Sequence, residues 1–586
     1  MEVIVTDRTV KITMSKAIGA MLGAASGDAL GWPNERPLSG VRSKEQESLF
    51  EFKGWKRRSG GRYYPHEEFI EAGSYSDDTQ LILCIARSLQ YGIHWWNRFC
   101  HVELPFWGLY ERGGGGATKR AVDAWLDGIS PWSDRRAAND VRRYFEAGGN
   151  GVAMRVLPHI LFHADSPEFS FVARNIMLDG IATHGHPRAL VGALAYGYAL
   201  WKSIRRTTQL GFGEIIEDLF QNVSEWELIP ELSAEAQNWI VAANNYLPGY
   251  RDLWKSVVQE MLDLLTICRQ ELKKGALTID EDALRALQCF DGKMNGAGTV
   301  AAGAAVFLAS RYAPEASHGL TTAAFAIGSD TDTIASMTGA LLGTFNGVDW
   351  LKDLQNAVQD SEYLKKVAID LVSHRDHIAH SEFQNNIRPR LNKWNEALSE
   401  LNPGAICELP DGRKGSIISR NERIGKSGKF KVTFLKMVSS DGQSLYFSKI
   451  KKGSFLPKEL PKETAAASRL KVIKCGPKLP VQSFDDAIRF YENVVGLNVK
   501  KRKQNFVVFE QGIVLVTGDY PKTEYDGNCA KAIIYIELSD IEKCYEIVKS
   551  GGFKIISPLS LWANSKRSYF RCTDPDGNIV EIFSAE

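Results

Sequence analysis

From about residue 14 to residue 400 the apolar positions recur at helical spacing; beyond that they fall into short alternating runs. In "SDDTQLILCIARSL" (76–89), Leu81, Ile82, Ile85 and Leu89 recur at helical spacing, which predicts a helix opening just after Ser76. "ALVGALAYGYALW" (189–201) and "GTVAAGAAVFLASRYA" (298–313) are rich in Ala, Leu and Gly, the pattern of interior helices whose backbones pack closely. Residues 206–290 are more polar and amphipathic and read as a peripheral helical insertion. Glycine-rich connections such as "ERGGGGATKR" and "EAGGNGVAMRVLP" separate the helices. Over 401–450 β-branched runs alternate with DG and SG turns, which predicts a small antiparallel barrel or meander. A polar linker rich in Lys, Pro and Ala covers 451–468, and 469–586 alternates strands and helices as two small α+β halves. The expected fold class is multidomain: an all-α domain over 14–400, a small SH3-like, β-barrel-like domain over 401–456, and an α+β βαβββ repeat over 469–586.

Composition narrows the partners. Among 586 residues, 71 Lys and Arg face 70 Asp and Glu, so no broad basic field attracts nucleic acid, which is not expected as a partner. The run of Lys426, Lys429, Lys431 and Lys436 reads as a solvated face. None of the nine cysteines forms a CxxC pair, which points to reduced thiols in a cytoplasmic chain. The N-terminal "MEVIVTDRTVKITMSKAIG" is too charged for a signal peptide. The apolar run after it is broken by Asp28 and too short to span a bilayer, so no membrane is expected.

The chemistry concentrates at two helix starts. Asp77 and Asp78 stand side by side behind Ser76, and Asp330 and Asp332 stand among Ser329, Thr331 and Thr333 in "AIGSDTDTIASMTGALLGTFNG". Alone, either pattern reads as a capped helix with acidic residues at the positive end of its dipole. Together they suggest facing halves of one site. All the donors are oxygen, which suits a hard divalent cation such as Mg²⁺ or Mn²⁺ rather than a structural zinc. Asp28, in "SGDALG", reads as a buried carboxylate bonded to backbone donors, with a supporting role. The Gly148–Gly149–Asn150–Gly151 turn offers backbone N–H groups to an anionic diphosphate. Gly113–Gly116 reads as a flexible loop.

Four segments occur in this order: "GAMLGAASGDALGWPNE" (19–35), "YSDDTQ" (75–80), "GNGVAMRVLP" (149–158) with "THGHP" (183–187), and "GSDTDTIASMTGALLG" (328–343). Jointly they resemble the ADP-ribosylglycohydrolase family, all-helical hydrolases that release ADP-ribose from modified side chains or small acceptors, over roughly residues 14–385. The resemblance implies two Mg²⁺ or Mn²⁺ ions held by Ser76, Asp77 and Asp78 on one side and Asp330, Asp332 and Thr333 on the other. It makes Asp332 a bridging ligand and puts Glu35 on a loop near the scissile bond, so that Glu35 and Asp78 are the candidate catalytic carboxylates. Gly149, Asn150, Gly151 and His184 become the candidate substrate-binding residues. The implied partner is an ADP-ribosylated protein or small molecule. The alternatives are a non-catalytic ADP-ribose-binding protein and a resistance or detoxification protein.

The C-terminal segment, through "PVQSFDDAIRFYENVVGL" (480–497) and "YFRCTDPDGNIVEIF" (569–583), resembles the vicinal-oxygen-chelate family of glyoxalase I and bleomycin-resistance proteins. Glu581 matches one metal ligand of that family, whereas the positions near Gly476 and Ile533 carry none. One carboxylate does not hold a catalytic ion, so the resemblance implies a binding or dimerisation module.

Overall fold

The computed structural model describes residues 3–35, 50–208, 210–232, 236–373, 387–398, 400–425, 427–453, 455, 472–480, 484–489, 498–503, 506–510, 512–516, 533–550, 554–561, 567–573 and 579–584. The expected linker at 451–468 and the turn of the last quoted motif therefore lie largely outside the described residues. Two compact units form, Met1–Leu456 and Pro457–Glu586. No helix among the described residues is long and apolar enough to cross a membrane. The described cysteines Cys84, Cys268, Cys289, Cys407 and Cys544 are free thiols.

The first unit is built on a helix pair. The helix Val3–Glu35 carries Gly19, Gly23, Gly27 and Gly31, one every four residues, and so along one face. That stripe lies against Thr331–Asn346: a Cβ on Gly19 would fall 1.9 Å from the Gly347 carbonyl oxygen, and one on Gly31 2.2 Å from that of Thr331. The helices run antiparallel, because the last glycine of one meets the first residue of the other. Pro187–Ile204 and Gly298–Arg311, buried along nearly their whole length, pack around this pair. The region read as an insertion contains the amphipathic helix Tyr250–Lys273, which buries Trp254, Val257, Met261, Leu265 and Cys268 against Gly298–Arg311.

Two features depart from the expected layout. The helical domain includes a hairpin, β1 (Trp55–Ser59) and β2 (His66–Ile70), whose charged strands gave no strand signal. Of the two forms expected for 401–456, the described residues take the meander and form no closed barrel, and they do not stand as a separate domain. β3 (Ile406–Glu408), β4 (Lys414–Ile424), β5 (Phe430–Ser439) and β6 (Ser444–Lys452) make an open antiparallel meander in sequence order. Its inner face, with Ile417, Leu435, Met437, Leu445 and Phe447, joins the hydrophobic core of the helices. Phe447 packs against Phe106, Tyr110 and Trp394, with ring centroids at 6.2, 6.1 and 5.5 Å. The sheet is thus part of the first compact unit rather than a separate body. Closure is unnecessary because helices cover the apolar face that a barrel would hide.

The second unit contains an eight-stranded sheet of order β12-β13-β14-β11-β7-β10-β9-β8. Its strands are β7 (Val472–Pro480), β8 (Val499–Arg502), β9 (Phe506–Phe509), β10 (Val514–Val516), β11 (Ile533–Leu538), β12 (Ile555–Leu561), β13 (Ser568–Thr573) and β14 (Ile579–Ser584). One helix, Phe484–Arg489 or Ile541–Ser550, follows the first strand of each half, which gives two βαβββ halves. In each half the first strand pairs in parallel with the last, β7 with β10 and β11 with β14, and β7 and β11 join the halves antiparallel.

Candidate active site

The glycine stripe fixes where the two acidic helix starts meet. Gly31 lies against Thr331, whose hydroxyl donates to the Gly31 carbonyl at 2.8 Å. Asp330 stands at the N-cap position of the helix Thr331–Asn346 without a side-chain capping bond, and Asp332 sits in its first turn, accepting from the Thr333 N–H at 2.9 Å. The other start is the helix Asp77–Leu89, capped by Ser76, whose hydroxyl oxygen accepts from the Asp78 N–H at 3.4 Å. Asp28 anchors this start to Val3–Glu35. Its two carboxylate oxygens accept from the Ser76 N–H at 2.8 Å, the Thr79 N–H at 3.0 Å and the Thr79 hydroxyl at 2.7 Å. The Thr333 hydroxyl then donates to Asp78 Oδ2 at 3.3 Å, which joins the two starts directly.

These carboxylates are out of water. Asp77, Asp78 and Asp332 are 7, 2 and 5% exposed, and Ser76 and Thr333 are buried beside them. Burial first, then mutual repulsion, holds all three carboxyls well above the usual carboxylate range. For Asp77 the neighbours are Asp28, Glu111 and Glu35; for Asp78 they are Asp28, Asp77 and Asp330; for Asp332 they are Asp330, Asp78 and Glu35. Glu35, half-buried at the end of its helix, therefore faces both halves of the cluster.

The residues fit a hard cation by their chemistry. Asp78 Oδ1 is fully buried and has no hydrogen-bond partner, an arrangement that costs free energy unless something positive meets it. Among the described residues no three Asp, Glu, His or Cys side chains already stand as a metal cage. The donors instead come as carboxylates completed by the hydroxyls of Ser76 and Thr333, an all-oxygen set suited to Mg²⁺ or Mn²⁺.

A third element closes the site from the side. Asn150 donates from Nδ2 to Asp330 Oδ2 at 3.0 Å, so the glycine turn reaches the carboxylate cluster. The Asn150 N–H is committed to the Gly296 carbonyl at 2.9 Å, so the turn does not present that donor to a diphosphate as expected. His184 lies under the turn, with Nε2 about 3.3 Å from where a Cβ on Gly151 would sit. Its Nδ1 and the Thr183 hydroxyl are 2.7 Å apart. That hydroxyl also accepts from Arg155 Nη2 at 2.8 Å, which ties the imidazole to the Arg155 side chain. Burial, reinforced by Arg155 and Arg120, pushes the imidazole down to about 3, so it stays neutral.

Arg155, absent from the sequence-derived site, organises this side. Fully buried, it pairs through Nε with Asp179 Oδ1 at 2.9 Å and donates from Nη1 to the Gly151 carbonyl at 2.6 Å. It thereby locks the turn to the His184 segment. Its place in "GNGVAMRVLP" was visible, but its role depends on Asp179, which no local signal marks. Gly113, read as part of a flexible loop, has φ of 110° and lies so close that a Cβ there would be 2.8 Å from Asp77 Oδ1. The hairpin flanks the same region, with Trp55 edge-on to Trp32 at 5.2 Å and Glu68 paired to Arg112 at 2.6 Å.

With this geometry in hand, sequence comparison is decisive: the family model of ADP-ribosylglycohydrolase matches residues 9–380. The chain belongs to the ADP-ribosylglycohydrolase family. The family is one of hydrolases acting on glycosyl bonds. A solved structure described as an ADP-ribosylglycohydrolase-related protein complex is similar over 63% of this chain and all of that one, at 19% identity and a TM-score of 0.41.

A second family model, glyoxalase/bleomycin resistance protein/dioxygenase superfamily, matches residues 472–582 of this chain. A curated relative, the probable chloroplastic lactoylglutathione lyase of Arabidopsis thaliana, is 27% identical over 176 residues; the match covers 28% of this chain and 45% of that protein. A superfamily structure from Vibrio splendidus 12B01 is similar over 20% of this chain and all of that one, at 18% identity and a TM-score of 0.17. In this domain Glu581 is buried on β14, between Tyr535 of β11 and Arg571 of β13, with Arg571 Nε 3.8 Å from its carboxylate. A cationic side chain faces the one carboxylate of the expected ligand set.

Proposed function

We propose that this chain is a metal-dependent enzyme that releases ADP-ribose from an ADP-ribosylated protein side chain or small acceptor by cleaving the bond at the anomeric carbon of the distal ribose. The observation that carries the reading is the convergence of two buried acidic helix starts, bridged by the Thr333–Asp78 hydrogen bond and leaving Asp78 Oδ1 without a partner. Ser76, Asp77, Asp78, Asp330, Asp332 and Thr333 would hold two divalent cations, Mg²⁺ or Mn²⁺. Bound there, such ions supply positive charge that orients vicinal hydroxyls and lowers the pKa of water.

The chain's own groups account for the rest. Thr333 and Asn150 orient Asp78 and Asp330 through the bonds they donate. Neutral His184 presents Nε2 beneath the turn of Gly149, Asn150 and Gly151, where it hydrogen-bonds a substrate hydroxyl. Glu35 faces the cluster from the end of its helix and serves as the proton-transfer group at the departing or attacking oxygen, with Asp78 as the second candidate. Cleavage at an anomeric carbon passes through an oxocarbenium-like state, which the surrounding carboxylates stabilise.

The test is a panel of substrates carrying ADP-ribose on arginine, on serine, on a nucleobase and on a free metabolite, read by released ADP-ribose. Release with Mg²⁺ or Mn²⁺, abolished by EDTA and by Asp77→Ala or Asp332→Ala, is the expected result. Tight ADP-ribose binding without turnover of any panel member would instead establish a non-catalytic binding protein.

A further inference from the structure

A second concave region lies at the opposite end of the Asp77–Leu89 helix, roughly 15–20 Å from Asp77 by helix rise. It is a cavity of about 380 Å³ whose walls include Arg87, Gln90, Arg98, Tyr363 and the β3–β4 turn at Asp411–Arg413. Nothing in the proposed reaction uses it.

Its wall is a buried charge network. Glu103, fully buried, binds Arg87 at 2.9 Å and Arg98 at 2.7 Å, while Arg413 binds Asp411 at 2.7 Å and Asp441 at 3.0 Å. The formal charges of these six groups cancel. Their hydrogen bonding does not. Arg87 Nη1 and Arg413 Nη1 both donate to a single neutral acceptor, Gln443 Oε1, each at 2.9 Å. Two buried donors of the wall have no partner, Arg413 Nη2 and the Tyr363 hydroxyl, and Gln443 Nε2, which does not line the cavity, has none either. Gln443 is 0% and Tyr363 5% exposed, so bulk water does not serve them. Only one unmet acceptor, Gln90 Oε1, stands among the wall residues.

We propose that this cavity is a binding site for a small oxyanion, a carboxylate or a phosphate. The unmet donors call for a ligand that brings several acceptors and few donors. A neutral polyol would bring as many donors as acceptors. Tyr363 and Arg413 donate to the oxyanion, while Glu103 holds Arg87 and Arg98 in the wall beside it.

The experiment is thermal denaturation and calorimetric titration of the full chain in EDTA, with inorganic phosphate, acetate and neutral acetamide as separate probes. Stabilisation by phosphate, by acetate or by both, but not by acetamide, is expected; the arm that binds identifies tetrahedral or planar recognition. Tyr363→Phe removes only the unpartnered hydroxyl, so it folds, and it weakens binding about tenfold or more. Arg413→Gln abolishes binding, and Asp332→Asn leaves it unchanged because that residue belongs to the acidic cluster at the far end of the Asp77–Leu89 helix. The proposal is overturned by equal stabilisation with acetamide, by no response to either oxyanion, by unaltered binding in Tyr363→Phe, or by loss of binding in Asp332→Asn.

Discussion

Replacing Asp28 with Asn separates what holds the site from what performs its chemistry. Both carboxylate oxygens of Asp28 accept backbone N–H groups, from Ser76 at 2.8 Å and Thr79 at 3.0 Å, and one also accepts the Thr79 hydroxyl at 2.7 Å. An asparagine has one oxygen and one NH₂, so whichever way it turns, one buried backbone donor of the helix start faces another donor. An unmet buried donor costs about 1–3 kcal/mol. Losing the negative charge offsets part of this, because burial disfavours ionised Asp28 and its charge repels Asp77 and Asp78. The net loss is about 2 kcal/mol. For a cooperative unit of the size of Met1–Leu456, with an unfolding entropy of roughly 1 kcal/mol/K, Tm falls by only about 2 °C. Turnover responds far more, since a shift of the Ser76–Asp78 segment by a fraction of an ångström displaces three candidate ligands at once. A misplacement of about 1 Å is worth on the order of a hundredfold in rate.

The assay pairs a thermal melt with kcat and KM for ADP-ribose release at saturating Mg²⁺. A small drop in Tm with a large drop in kcat is expected. Thr79→Val, which removes one of the same bonds, combines less than additively with it. Wild-type kcat in a folded Asp28→Asn protein would refute the positioning role, and a fall in Tm above about 10 °C would show the effect to be global unfolding.

Three further outcomes are expected. Asp77→Ala and Asp332→Ala abolish turnover yet leave metal-free stability equal or higher, because each removes a buried, repelled carboxyl; Mg²⁺-induced stabilisation in a thermal shift disappears with it. His184 is held at about 3 when folded, against 6.5 unfolded, so the unfolded chain binds the extra proton between those values. Its contribution is present in full above pH 6.5 and declines on acidification at up to about 1.4 kcal/mol per pH unit; urea melts of wild type and His184→Gln between pH 5 and 8 measure this as a shallower slope in the variant. Gly31→Ala puts a methyl 2.2 Å from the Thr331 carbonyl oxygen, and neither backbone can yield cheaply, so activity is lost with reduced soluble yield, whereas Gly292→Ala, with open space around its Cβ position and no positive φ, keeps its yield.

The two acidic helix starts were legible in the sequence because capping chemistry is local: a hydroxyl or carboxylate at the first turn announces itself beside an apolar run. The buried character of Asp28 was legible for a related reason, since a lone carboxylate inside an apolar, small-residue segment must find donors. The βαβββ halves were legible from alternation and turn residues. Burial partners were not. Arg155 organises the turn through Asp179 and Thr183, residues 24 and 28 positions away, and nothing near it in the chain marks the pairing.

The sequence by itself determined the element types, the order of the motifs and the oxygen-only chemistry of the cluster, because each rests on neighbours within one or two helical turns. Tertiary structure alone decided that Thr333 meets Asp78, that the glycine turn spends the Asn150 N–H on Gly296, and that the middle strands stay an open sheet on the helical core. The physical reason is the same in each case. Hydrogen-bond satisfaction and burial are properties of the closed interior, and which distant groups share that interior is fixed only when the helices pack.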